Sequence, residues 1–85
     1  MMTRDEVRLK LEAIFRKVFD DDSIELTDAT TADDIEEWDS LNQIKIILAA
    51  EEDFGRSLNA RKINNFENVG DMIDYLEEVV SGAGA

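Results

Sequence analysis

Apolar residues in the first nineteen positions return at intervals of four and three: Val7, Leu11, Ile14, Phe15 and Val18. That spacing gathers them on one side of an α-helix. Thr3, followed three residues later by Glu6, has the form of a capping box that starts the helix. The helix is expected to end near Phe19, because Asp20, Asp21 and Asp22 would place three carboxylates at the negative end of its dipole. Residues 20–39 keep no period. Ile24, Leu26, Ile35 and Trp38 stand there as isolated apolar anchors among acids and threonines. They predict a loop pinned to the core, with a short helical turn around Ala32–Glu37.

Periodicity resumes from Ser40 to Phe54, where Leu41, Ile44, Ile47, Leu48 and Phe54 read as the buried stripe and Gly55 as the stop. The run Ile46 to Ala50 is apolar most of the way round, so this helix is either central or exposes a patch to a partner. Leu58 to Phe66 predicts a short third helix capped by Asn59, with Ile63 and Phe66 inward. Asn68, with Asp71 at the N3 position, opens the last helix, whose face is Val69, Met72, Ile73, Leu76, Val79 and Val80. Proline is absent and no strand pattern survives. The expected fold is all-α, a four-helix bundle of three long helices and one short one. One domain is expected over residues 1–80, with residues 81–85 a frayed tail.

Composition narrows the chemistry. The 85 residues include no cysteine and no histidine. Disulfides, thiol nucleophiles, the commonest general base and the commonest transition-metal ligand are all missing. The remaining side chains could still build a carboxylate-only site, but composition disfavours an enzyme. Asp20, Asp22 and Glu25 cluster, but an EF-hand loop opening at Asp20 fails at Ile24, Glu25 and Thr31, so no specific metal site is expected. The formal charge of −12 excludes nucleic acid and anionic membranes as direct partners and favours basic protein surfaces and a monomer. The charge is uneven, with a net of +2 over residues 1–19 and −10 over residues 20–39. No signal peptide is visible and no apolar run nears the roughly 20 residues of a membrane span, so a cytoplasmic protein is expected.

The stretch Trp38-Asp39-Ser40-Leu41 joins the acidic loop to the second helix. Ser40 with Gln43 fits a capping box, and Asp39 is an equally good cap, so a purely structural reading is open. No histidine or lysine adjoins Ser40 to act as its base, which makes it a poor catalytic nucleophile. A helix N-terminus does favour a phosphate, because its free N–H groups and dipole point towards the charge.

Asp39-Ser40-Leu41 resembles the Asp-Ser-Leu attachment motif of acyl carrier proteins. The surroundings match too: a helix opening at Ser40, passing Ile44 and Ile47-Leu48 and closing with Glu51-Glu52-Asp53-Phe54-Gly55, then a short helix and Asn68-Val69-Gly70-Asp71-Met72-Ile73-Asp74-Tyr75-Leu76. The resemblance spans about residues 3–80. It implies a non-catalytic carrier of lipid metabolism, in fatty-acid, polyketide or other specialised synthesis, that holds an acyl group as a thioester on phosphopantetheine. The arm would come from coenzyme A through a separate phosphopantetheinyl transferase and be attached at Ser40, with Asp39 assisting through magnesium and Leu41 packing beside it. Acyl ligases or synthases with basic docking surfaces are the other implied partners. Ile44, Leu48, Ile63, Phe66 and Ile73 are the implied lining of an acyl-chain cleft, although apolar stripes at helical spacing are also what an ordinary core requires.

Departures from the family pattern point to a specialised member. Asn42 and Lys45 stand where carriers of primary fatty-acid synthesis have acids, which return only at Glu51, Glu52 and Asp53. Trp38 replaces a small residue. Trp38, Asn42, Lys45, Glu51 and Glu52 are therefore the expected partner-docking positions. Two rival readings are an aminoacyl or peptidyl carrier, whose Gly-Gly-His/Asp-Ser approach is not matched by Trp38-Asp39, and an unmodified acidic helical adaptor in which Ser40 is only a cap.

Overall fold

A computed structural model of the chain describes residues 3–35 and 38–81. The expected helices are present: α1 (Arg4–Phe19), α2 (Ser40–Phe54), α3 (Ala60–Asn64) and α4 (Val69–Ser81), with a 3-10 turn at Ala32–Asp34. The expected turn overlaps this last element, although Glu36 and Glu37 lie outside the described residues, as does the predicted tail after Ser81.

Local sequence sets each boundary. Thr3 accepts the Glu6 N–H at 3.2 Å while its own N–H donates to the Glu6 carboxylate at 3.1 Å, closing the capping box. Hydrogen bonding from the Thr3 N–H, and then from the Thr3 side chain, holds the Glu6 carboxyl below the usual range. At the other end Asp20 takes a left-handed conformation (φ 52°), and its N–H donates to the Arg16 carbonyl. A short polar side chain tolerates that geometry. Gly55 (φ 66°) ends α2 the same way. Asn59 caps α3, accepting from Arg61 and Lys62, and Asn68 accepts the Asp71 N–H at 2.9 Å.

α1 packs on both α2 and α4. Its Val7, Leu11, Ile14 and Phe15 are buried with Ile46, Ile47 and Ala50 of α2, Ile63 of α3, and Val69, Met72, Ile73 and Leu76 of α4. Val18 and Phe66 are only partly buried. α2 corrects its predicted stripe. Leu41, Ile44 and Leu48 are 61%, 55% and 59% exposed, and the buried positions are Ile46, Ile47 and Ala50. At 100° per residue the true inward face is rotated from the expected one by roughly the angle of one residue. The apolar surface of this helix exceeds half its circumference, so periodicity could not say which part α1 would cover.

The loop between α1 and α2 is fastened from both sides. Ile24 and Leu26 are buried, as expected of anchors, and Ile35 and Trp38 pack against the core. Glu12 of α1 is buried as well. Its Oε2 accepts the Leu26 N–H at 2.9 Å, and its carboxylate pairs with Arg16 at 3.2 Å and Arg8 at 3.5 Å. Those two guanidiniums also donate to the loop carbonyls of Ile24 (2.8 Å) and Leu26 (3.4 Å). On the far side the loop supplies carbonyls to the first turn of α4: Thr30 accepts the Val69 N–H at 2.8 Å, and Asp28 accepts the Gly70 N–H at 2.9 Å. Arg4 closes the arrangement by bonding Asp74, Glu77 (2.6 Å) and Asp28 (3.0 Å), which together push its pKa further up. Arg4 thus ties the start of α1 to the acidic loop and to α4.

Two substitutions test this fastening. Glu12→Ala leaves the Leu26 N–H buried without its acceptor and two arginines without their carboxylate, and should cost about 2–3 kcal/mol in urea unfolding. Gly70→Ala would ordinarily favour a helix by roughly 1 kcal/mol. Here a Cβ would stand 2.9 Å from the Asp28 carbonyl oxygen, so the change should instead lower the melting temperature, with a net cost of about 1–3 kcal/mol.

Candidate functional site

α2 begins where the acidic loop ends, and the division of labour between Asp39 and Ser40 defines the site. Asp39 is the N-cap. Its Oδ1 accepts the Asn42 N–H at 2.9 Å, and its carbonyl accepts the Gln43 N–H at 2.9 Å. Ser40 is consequently the first helical residue and not the cap, so the Ser40–Gln43 capping box allowed by the sequence does not form. Gln43 turns elsewhere: its Oε1 accepts the Trp38 indole N–H at 2.6 Å, and its Nε2 reaches Asn64 at 3.5 Å. The Ser40 side chain is exposed and has no hydrogen-bond partner among the described residues. With Asp39 as cap, the hydroxyl stands exposed at the positive end of a 15-residue helix.

Trp38 fixes how the loop enters this site. Its ring packs edge-on against Phe15, 4.9 Å between centroids, and Phe15 stacks in turn on Phe19. The indole is half-buried, and its part in the structure is to hold the approach to Ser40 against α1. Leu41, Ile44 and Leu48 follow Ser40 along the outer face of α2 and form an exposed apolar ridge. Lys45 lies exposed on the same side, with Asn42 half-buried. Of the acids at the far end of α2, Glu51 turns inward and its Oε2 accepts the Leu58 N–H at 2.9 Å, while Glu52 is exposed.

The five residues expected to line an acyl cleft are not brought together. Ile44 and Leu48 lie on the outer surface of α2, and Ile73 is sealed within the core. Ile63 and Phe66 do share a cavity of about 140 Å³ between α2, α3 and α4, which Trp38, Gln43, Asn64 and Met72 also line. Sequence reasoning missed Gln43 and Met72. The polar Gln43 fell outside an apolar search, and Met72 was already assigned to the core. Among the described residues no helix is long and apolar enough to cross a membrane.

A helical bundle with an exposed serine at the start of its second helix is the architecture of a carrier domain. The model of the family described as phosphopantetheine attachment site matches residues 10–76. The chain is 26% identical over 82 residues to an acyl carrier protein of Acidothermus cellulolyticus, covering 96% of this chain and 98% of that one. It is 29% identical over 79 residues to an acyl carrier protein of Rickettsia canadensis, covering 92% and 91%. The solution structure of a holo acyl carrier protein from Geobacter metallireducens superimposes with a TM-score of 0.81 at 38% identity, covering 96% of this chain and 90% of that one. The chain belongs to the acyl carrier protein family, and its prosthetic group is phosphopantetheine.

Proposed function

We propose that Ser40 carries the phosphopantetheine arm, and that the protein presents acyl thioesters on it to the enzymes of a dedicated pathway. The observation that carries this reading is the exposed Ser40 hydroxyl, released from capping because Asp39 performs that task. The residues present fit such a group. A phosphodiester on Ser40 would lie at a helix N-terminus where the Ser40 and Leu41 N–H groups have no partner among the described residues. When bound, the arm supplies the thiol that a cysteine-free chain lacks.

A separate phosphopantetheinyl transferase would move the arm from coenzyme A to the Ser40 hydroxyl, which loses its proton as the pyrophosphate bond breaks and adenosine 3′,5′-bisphosphate leaves. Asp39 uses one carboxylate oxygen as cap, and its carboxylate would be the group of this chain that helps hold the magnesium ion of that transfer. Leu41 flanks the attachment point, and with Ile44 and Leu48 it offers partner enzymes the apolar ridge of α2. The cavity lined by Ile63 and Phe66 is the place for the first carbons of a short acyl group. That the relatives are acyl carriers favours an acyl over an aminoacyl cargo. The absence of acids in the first turns of α2 favours a specialised pathway over primary fatty-acid synthesis.

Intact-mass spectrometry after incubation with coenzyme A, magnesium and a broad-specificity transferase should show one phosphopantetheine gain on the parent and none on Ser40→Ala. The same variant should melt within about 0.5 kcal/mol of the parent, since it leaves the cap intact. Asp39→Ala should lose about 1 kcal/mol. A well-folded parent that gains no mass beside an active control carrier would return Ser40 to an adaptor role. A Ser40→Ala cost near that of Asp39→Ala would contradict the capping assignment.

A further inference from the structure

The cavity between α2, α3 and α4 has an apolar floor and a rim of carboxamides. Ile63 and Met72, each 3% exposed, form the floor, and Trp38, Gln43 and Phe66 stand half-buried along the walls. Asn64 is exposed and Asn68 half-buried at the edge. The oxygens of all three carboxamides are already engaged. Gln43 Oε1 accepts the Trp38 indole N–H, Asn64 Oδ1 accepts from Gln43 Nε2 at 3.5 Å, and Asn68 Oδ1 accepts the Asp71 N–H. Indole and backbone N–H groups can only donate, so these bonds also fix which way Gln43 and Asn68 are turned. The capacity left over consists of donors. Asn64 Nδ2, Asn68 Nδ2 and the second hydrogen of Gln43 Nε2 have no partner among the described residues. The volume is about 140 Å³. A cavity of about 150 Å³ holds one benzene, roughly six non-hydrogen atoms. Trp38 keeps the space to that size, because its ring is held on Phe15 at 4.9 Å and its N–H by Gln43 at 2.6 Å. Glu67, exposed on the rim, sets like charge against a guest that carries a carboxylate.

We propose that this cavity takes a short, uncharged acyl group bearing an acceptor oxygen along its chain. A 3-oxobutyryl group, with about six non-hydrogen atoms, matches the space. The inference rests on the carrier reading of Ser40 and specifies the class of acyl group that the arm holds. Gln43 stands one helical turn from Ser40, so an arm folded back over the start of α2 brings its acyl end to the rim. The methyl end meets Ile63 and Met72, and the keto oxygen accepts from the amide groups of Asn64 and Asn68. A saturated chain of the same length gains the floor but covers those donors without giving them an acceptor, which costs part of the gain. An octanoyl chain exceeds the volume.

Protection of the thioester tests this. A broad-specificity transferase loads Ser40 from 3-oxobutyryl-, butyryl- and octanoyl-coenzyme A, and mass spectrometry confirms each product. Thiolysis by dithiothreitol is then timed, each rate being divided by that of the same acyl-coenzyme A to remove intrinsic reactivity. The 3-oxobutyryl form should be protected about threefold more than butyryl, and octanoyl should be cleaved at its coenzyme A rate. The 3-oxobutyryl methyl should also show nuclear Overhauser contacts to Ile63 and Met72. N64D/N68D keeps the oxygens used by Gln43 and Asp71 and removes the donors. With its helices confirmed by circular dichroism, it should lose the 3-oxobutyryl preference and leave butyryl unchanged. Should it not fold, the comparison of acyl groups on the parent decides alone. Octanoyl protected as well as 3-oxobutyryl, a preference that survives N64D/N68D, or equal shifts at Ile63 and Met72 from the unacylated arm would each overturn the inference and leave the carrier reading standing. If Ser40 takes no arm, the carrier reading fails by itself. Titration of the apo protein with the N-acetylcysteamine thioesters then still reads the cavity: Ile63 and Met72 methyl shifts with 3-oxobutyryl in preference to octanoyl support it, and equal shifts sink it.

Discussion

The structure depends on how the acidic connection between α1 and α2 is held down. A connection of about twenty residues without regular structure carries many backbone groups that need partners. Here α1 and α4 supply them. The buried Glu12 carboxylate takes the Leu26 N–H, and Arg8 and Arg16 donate to loop carbonyls on either side of it. The loop in turn gives two carbonyls to the open N-terminus of α4. Each segment satisfies groups that the other would leave exposed at a buried junction. The position of Ser40 follows from this, because Trp38 clamps the end of the loop against Phe15 before α2 begins.

The same fastening explains how so acidic a chain remains compact. Ten carboxylates in residues 20–39 would repel one another. Arg4 of α1 meets part of that charge at Asp28 and also engages Asp74 and Glu77 of α4. These pairs are largely exposed, so each contributes modestly and weakens in salt. Their collective effect is to give α1 one orientation against the loop and α4. The three arginines of α1 are all engaged in these pairs.

At the start of α2, two adjacent residues divide two tasks. Asp39 satisfies the helix and Ser40 is left with an exposed hydroxyl. A serine in the capping position would hold its oxygen against the backbone. The apolar ridge of Leu41, Ile44 and Leu48 follows Ser40 along the outer side of α2.

Helix positions and caps were legible in the residues themselves. Thr3–Glu6, Gly55, Asn59 and Asn68 act over three or four residues, and the structure realises each. The Asp-Ser-Leu motif was legible for the same reason, since its setting at the start of α2 is a short-range pattern. What only the tertiary structure decided involves partners distant in sequence. Glu12 looked like one more surface acid until Leu26 and two arginines closed over it. Gly70 carried no visible role until the Asp28 carbonyl was brought against it. Which side of α2 would be buried was undetermined, because a helix apolar over more than half its surface offers several equivalent stripes. Packing against α1 chose Ile46, Ile47 and Ala50, and so turned Leu41, Ile44 and Leu48 outward. The choice between Asp39 and Ser40 as cap was likewise set by where the clamped loop enters the helix. Short-range chemistry specifies elements, and the faces they expose depend on contacts that exist only once those elements have met.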